Sequence, residues 1–443
     1  MSGGQCPVGA KVVDYFDHNS KAYVTDRYDW FEDIRRDVGP VFWSPHHGGF
    51  WVVIGYPELT QAARDWETFS SRAEFSRGCP VDDIQLNGLF IPPRTTRQLQ
   101  RGPASAAAGI MLQEDPPEWG VARRALAPLF SVQAAEKWRD RIQRLIDACI
   151  DRKIETGRVD LATDMFNIVP AIFSLELAGL PSDNYRDVAW LSHTTSHLAA
   201  DDPRWEEALA RGTRADQSGR LKAAVQARKT DRREDVISQV LNARDKGVEL
   251  TDEDTAALAG LIIGAGIDTT SALIGTTFVN LVRFPSLRKR LEQHPEQTRD
   301  AFDEFMRIGT PTQGLCRTVM KETELGGQAM RRGDRVMLCW PAANRDAREY
   351  ENPLEINLDR KPTLQVGFGF GNHRCIGQHY ARLEFEIIFN TVLRRMPDIE
   401  IDAANARQYD NCGVVMGWES LPATFTPGPR IGADPGVEGW EYN

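Results

Sequence analysis

The segment Phe368-Gly-Phe-Gly-Asn-His-Arg-Cys375-Ile-Gly377 constrains what this chain can fold into more than any other stretch. Two glycines bracket an aromatic residue, and a lone cysteine follows just before a run of helical periodicity. Glycine at Gly369, Gly371 and Gly377 permits positive φ and close backbone approach, which a tight loop pressed against a flat ligand requires. A cysteine just before a helix sits near the positive end of the helix dipole, which favours the thiolate. A thiolate held by backbone N–H groups against a planar ligand suits an axial bond to a metal. Two other readings stand beside this one. Free cysteines are commonly small buried hydrophobes. A zinc site could draw on His373, Cys375 and His379, although no second Cys/His pair lies at finger or ribbon spacing.

The segment resembles the heme-binding signature of the cytochrome P450 family, Phe-x-x-Gly-x-x-x-Cys-x-Gly, with Phe368, Gly371, Cys375 and Gly377 at its fixed positions. The resemblance implies heme b with the Cys375 thiolate as proximal ligand, a ligand that pushes electron density onto iron and favours O–O cleavage. It also implies a mainly α fold with a smaller β-rich lobe, an α-helical triangular prism with the heme between a distal helix and Cys375. Residues 1–443 would form one domain ending in a loose, Gly- and Pro-rich tail from about residue 427.

Composition narrows the partners. The net charge of −10 argues against a nucleic-acid ligand held through phosphates, and leaves room for a basic patch. The opening Met1-Ser-Gly-Gly-Gln-Cys-Pro lacks the basic and apolar regions of a signal peptide. The longest uncharged apolar stretch, Ala256 to Ile267, is short for a membrane span. The expectation is a soluble cytoplasmic protein, monomeric and not bound to a membrane. Seven scattered cysteines without a CxxC pair do not suggest a disulfide framework. Microsomal relatives carry a membrane anchor, so the resemblance is to the soluble bacterial type.

Along the chain, Val41-Phe-Trp43 and Phe50-Trp-Val-Val53 predict a hairpin across turn-forming residues, and Ser70 to Glu114 reads as a long irregular loop. Helical periodicity dominates from Pro117 to about Arg307. One helix is expected to open at Asp115-Pro-Pro-Glu118, and a long one to run from Thr251 to about Arg283. Thr251 would cap the long helix, three acids fill its first turn and Pro285 stops it. A short helix near Ala301–Arg307, a strand near Arg335–Cys339 and a final helix to about Arg395 follow.

The long helix contains Gly264-Ala-Gly-Ile-Asp268-Thr269. Mid-helix glycines cost about 1 kcal/mol each against alanine, so they suggest either ligand approach to the backbone or a close helix contact. Thr269 can bond to the carbonyl four residues back and bend the helix. The resemblance extends here to the family's [Ala/Gly]-Gly-x-[Asp/Glu]-Thr motif, at Ala265, Gly266, Asp268 and Thr269, and implies that Asp268 and Thr269 deliver protons for oxygen activation, with Asp268 linking to solvent. Glu304 and Arg307 match the family's buried, structural Glu-x-x-Arg pair. The usual arginine of a third segment is replaced by Glu355, leaving Arg345 and Arg360 as candidates to complete the network. The heme propionates would be held by Arg123, Arg317 and His373, with Trp119 where many relatives carry histidine. Arg124 and Arg374 are candidates for docking a small acidic iron–sulfur protein. Leu89, Phe90, Ile262, Ala265, Thr312 and Val415 are expected to line an apolar substrate pocket.

The resemblance therefore implies a monooxygenase that inserts one atom of O2 into a small or mid-sized hydrophobic molecule, fed by a separate ferredoxin and ferredoxin reductase. A peroxide-driven peroxygenase and a non-catalytic heme-thiolate sensor are the alternatives. The Asp268–Thr269 pair speaks against the first, and the lack of a fused signalling segment against the second.

Overall fold

The computed structural model describes residues 6–73, 84, 86, 88–89, 110–195, 197–198, 202–360, 364–411 and 414–441. The chain divides into two compact units. One holds Met1–Arg123, Thr312–Cys375 and Asp410–Met416, and the other Arg124–Pro311, Ile376–Tyr409 and Gly417–Asn443.

The first unit is built on a five-stranded sheet. Helix α1 (Lys21–Asp37) leads into it, its first turn capped by the Ser20 hydroxyl, which accepts from the Tyr23 N–H at 3.0 Å. The expected hairpin is formed by β1 (Val41–Ser44) and β2 (Phe50–Val53), paired antiparallel with Val41 opposite Val53. Helix α2 (Tyr56–Arg64) and β3 (Phe69–Ser70) follow, and β4 (Leu315–Val319) and β5 (Arg335–Leu338) complete a sheet in the order β1-β2-β5-β4-β3. Among the five described strands of this sheet, β2 and β5 run parallel and the other neighbours antiparallel. The strands read as continuous apolar runs because both faces are covered. Phe42, Phe50, Val52, Cys316 and Met337 pack with Phe16, Tyr23 and Phe31 on one side. Val41, Trp43, Trp51, Val53 and Leu338 pack with Leu59, Phe69 and Trp340 on the other.

The second unit is mainly helical. Helix α3 (Glu118–Leu126), most of which belongs to the first unit, begins three residues later than the sequence suggests, because the Asp115 carboxylate turns to the Ser71 N–H (3.0 Å) and the Ser70 hydroxyl (2.5 Å) instead of entering the first turn. After it come α4 (Arg139–Asp151), α5 (Ile168–Ala178), α6 (Tyr185–Thr195), α7 (Asp252–Arg283), α8 (Thr298–Gly309) and α9 (Gln378–Arg395), with smaller helices between. The long α7, about 48 Å end to end at the α-helical rise, starts as its sequence requires. Thr251 and Asp254 form a reciprocal capping box, and Asp252, Glu253 and Asp254 occupy the positive end of the dipole. This helix is long and apolar enough to cross a membrane by length and composition, but 67% of the relevant window is buried inside the protein. It is the helix around which the unit packs. Phe278 stacks on Phe166 at 5.5 Å and meets Phe389 of α9 at 5.2 Å.

The C-terminal stretch corrects one expectation. It has no regular secondary structure, yet it is tied down. Asp151 at the end of α4 accepts from the Ile431 N–H (3.1 Å) and the Ala433 N–H (2.9 Å) while pairing with Arg395 at 2.6 Å. Trp440 lies 5.7 Å from the Tyr185 ring. Low regularity in the sequence concealed specific anchoring.

Candidate active site

The cysteine loop takes its shape from backbone conformations open to glycine. Gly369 and Gly371 hold φ values of 73° and 68°, in the left-handed region that a side chain disfavours. Gly371 also lies so close to α2 that a Cβ there would strike the Ala63 carbonyl oxygen. Gly377 differs from expectation, capping α9 at an ordinary φ of −78°. The loop closes with the Cys375 N–H donating to the Phe368 carbonyl at 2.7 Å, and the Phe368 ring is buried beside it. Cys375 is half-exposed, whereas Cys149, Cys316 and Cys339 are fully buried, with thiols pushed up to about 12 by burial. Those three are inert structural thiols.

Cationic and N–H donors gather beside this loop. Arg317 is buried, 3% exposed, on β4, and its pKa is pushed down to about 10 by burial despite the offsetting charge of Asp115. Arg123 on α3 lies 5.9 Å over the Trp119 ring and is half-buried, with burial lowering its pKa and the Cys375 sulfur opposing that shift. The Trp119 and His373 rings meet at 6.0 Å. Burial, then Arg317 and Arg123, drive the His373 imidazole down to about 3, so it is neutral at physiological pH. Among the described residues, Trp119 Nε1 and His373 Nε2 are both buried with no hydrogen-bond partner, the Asp115 carboxylate lying 4.0 Å from His373 Nε2. A buried donor without an acceptor costs about 1–3 kcal/mol. The unpartnered indole N–H beside two arginines, one of them fully desolvated, makes a cradle for an anionic ligand. The two carboxylates of the heme implied by the sequence fit that donor set.

In the helical unit, the middle of α7 separates the two roles that its glycines could play. A Cβ on Gly266 would come within 2.7 Å of the Ser174 hydroxyl of α5, so Gly266 permits close helix packing, while Gly264 has open space around it. Thr269 donates its hydroxyl proton to the Ala265 carbonyl at 2.8 Å, the local bond its sequence context suggests. Asp268 is 4% exposed, and its Oδ1 accepts a 2.6 Å hydrogen bond from the Tyr409 hydroxyl. The carboxylate is turned inward, onto a phenol. Nothing in the sequence singled out Tyr409, which lies 141 residues away in an irregular segment.

The remaining expectations divide between the units. In the first, Thr312 forms an antiparallel bridge with Val415, and the Leu89 carbonyl accepts from the Cys316 N–H at 2.8 Å. Phe90 lies outside the described residues. In the second, Ile262 and Ala265 are three apart on α7, the first buried and the second exposed. Glu304 and Arg307 form a buried two-pronged pair at 2.8 and 2.9 Å, as its structural role requires. Arg345 is buried over the Tyr28 ring at 3.9 Å, and Arg360 bonds to backbone carbonyls of residues 351, 352 and 355. Arg124 is exposed and Arg374 half-buried.

The family model for cytochrome P450 matches residues 215–397. Cytochrome P450 CYP199A2 of Rhodopseudomonas palustris is 29% identical over 411 residues, covering 91% of this chain and 92% of that protein. Linalool 8-monooxygenase of Pseudomonas putida is 27% identical, covering 90% and 96%. Among solved structures, CYP105P1 in complex with filipin I is 29% identical with a TM-score of 0.74, covering 90% of this chain and 96% of that one. CalO2, at 23% identity, covers 94% and 100% with a TM-score of 0.79 and shares the fold. The mainly helical fold with its smaller sheet is the cytochrome P450 fold, and the family implies a heme. Over most of its length the chain is similar to bacterial cytochrome P450 monooxygenases and shares the fold of that family.

Proposed function

We propose that this chain binds heme b through Cys375 and oxygenates a small or mid-sized hydrophobic molecule, drawing electrons from a separate ferredoxin and ferredoxin reductase in the cytoplasm. The supporting observation is the half-exposed cysteine on a glycine-shaped loop, next to a buried arginine, a half-buried one and a buried indole N–H that finds no acceptor among the described residues. Relatives named linalool 8-monooxygenase and steroid C26-monooxygenase point to hydrophobic substrates.

When bound, the heme supplies activation of O2 and transfer of one oxygen atom to substrate. The protein does the rest. Cys375 would hold the metal through its sulfur. Arg123, Arg317, His373 and Trp119 would bind the carboxylates, and Phe368 and Gly377 would frame the loop that carries the sulfur. Thr269, its proton committed to the Ala265 carbonyl, presents oxygen lone pairs that accept a hydrogen bond from a protonated group. Asp268 holds a proton for delivery. Leu89, Ile262, Ala265, Thr312 and Val415, with Phe90, exclude water and orient substrate.

The test is turnover of the heme-loaded protein with NAD(P)H and a surrogate ferredoxin and reductase, scoring product against reductant consumed. Product should require O2 and both electron-transfer proteins. Turnover with peroxide alone, equal in wild type and in an Asp268→Asn, Thr269→Ala variant, would overturn the reading.

A further inference from the structure

Asp268 is the inner end of a buried chain of side chains, all in the helical unit. The Tyr409 hydroxyl, 2.6 Å from Asp268 Oδ1, lies 2.9 Å from His193 Nδ1 on α6. The same Nδ1 lies 2.8 Å from the Asn167 amide nitrogen, and His193 Nε2 lies 3.2 Å from the Glu419 carbonyl oxygen. His197 stacks on the phenol at 3.9 Å with the rings 13° from parallel, and Gly417 lets the ring seat, since a Cβ there would press on it at 2.8 Å. Asp268, Tyr409, His193 and Asn167 are all buried.

The hydrogen count on this chain is informative. The Glu419 carbonyl only accepts, so Nε2 carries a proton. Tyr409 has one proton, which it gives to Asp268. If Nδ1 were bare, it would place a lone pair against a phenol oxygen whose proton points elsewhere, at 2.9 Å. If Nδ1 is also protonated, it donates to Tyr409, which donates to Asp268, and every contact is satisfied in one direction. The Asn167 amide then turns over to offer its oxygen. That oxygen is buried without a partner in its assigned orientation, so the turn breaks no bond of its own.

We propose that His193 and Tyr409 form a proton relay into Asp268, an inference that rests on the role given to Asp268 above. The Nδ1–H bond of His193 breaks as a new O–H bond forms on Tyr409. The former Tyr409 proton passes to Asp268 Oδ1. The net change is one proton moved from imidazolium to carboxylate, with no electron transferred and the tyrosine regenerated; solvent water reprotonates the histidine. Among the described residues, the titratable groups facing the imidazole include Asp268 on α7, Tyr409, and His197, whose ring is 6.0 Å away. The Glu419 carboxylate is engaged by Arg204 at 2.9 Å and Arg407 at 3.6 Å. Tyr409 and His193 are positioning residues that act through Asp268.

Two readouts test this in the heme-loaded protein. First, the reduced, carbon-monoxide-bound form is diamagnetic, and proton NMR should show a slowly exchanging imidazole Nδ1–H. That resonance should vanish in His193→Gln and move in Tyr409→Phe and Asp268→Asn. With eight histidines in the chain, substitution assigns it. Second, Tyr409→Phe and His193→Gln should each lower coupled turnover on the order of tenfold, flatten its decline at alkaline pH and leave substrate affinity unchanged. The double variant should be no worse than either single one. If Asp268→Asn loses turnover while both other variants match wild type in turnover and pH profile, the relay is refuted and the role of Asp268 stands. If Asp268→Asn is itself without effect, the underlying reading fails. Should Tyr409→Phe not load heme, His193→Gln decides, since its amide can still donate to the phenol but cannot pass on a net proton.

Discussion

In the unit that carries Cys375 the backbone shapes the site, and in the unit that carries Asp268 the side chains do. The cysteine loop relies on two left-handed glycines, one of them pressed against α2. The acid on α7 sits in an ordinary helix and owes its setting to a phenol, an imidazole and an amide contributed by other segments. A site fixed by backbone geometry fails abruptly when one Cβ is added. A site fixed by a hydrogen-bonded chain loses function link by link.

The sharpest challenge to this contrast is Cys375→Ser, which should abolish the thiolate signature of the carbon-monoxide-bound form and reduce turnover below detection. A retained thiolate spectrum would mean that another cysteine serves. Next comes Gly371→Ala, expected to cost about 2–4 kcal/mol from combined positive φ and steric conflict. Gly369→Ala should cost only about 1–2 kcal/mol, because its Cβ would approach nothing nearer than 3.5 Å. Equal losses by chemical denaturation would remove the role assigned to α2.

On the helical side, Glu384 of α9 is fully buried with Oε2 unpartnered, and burial raises its pKa well above the usual carboxylate range. A raised folded pKa adds stability that is complete below the unfolded value of 4.5 and is lost as pH rises through the folded one. Glu384→Gln should therefore match wild type near pH 4.5 and lose less stability above it, the difference growing by up to about 1.4 kcal/mol per pH unit. Parallel melting curves across pH would show that the carboxyl is solvated. The smallest effect is expected for Trp119→Phe, which removes one buried donor and should weaken heme retention by about 1 kcal/mol, a few-fold. Unchanged retention with a more stable heme-free protein would show that the indole N–H binds nothing.

The same contrast explains what the sequence disclosed. Cys375 with its glycines, and Asp268 with Thr269, are contiguous, so local spacing exposes them. Arg123, Arg317 and His373 could be placed only through resemblance, and the structure adds the unpartnered nitrogens that give their grouping a physical basis. Tyr409 and His193 are 216 residues apart, the first in an irregular segment and the second on a helix with no unusual pattern, and only tertiary packing joins them. Capping residues announced α7 to the residue, while the inward turn of Asp115 displaced the start of α3. Irregular composition concealed the anchoring of the C-terminal stretch, because its bonds run to a carboxylate some 280 residues earlier.

That anchoring bears on how the molecule matures. Three of the groups that satisfy Asp151, on Arg395, Ile431 and Ala433, follow it by 244, 280 and 282 residues. Until they are made, a nascent chain has to keep that carboxylate in water, so the end of α4 can reach its final burial only after the segment through Ala433 has been synthesised.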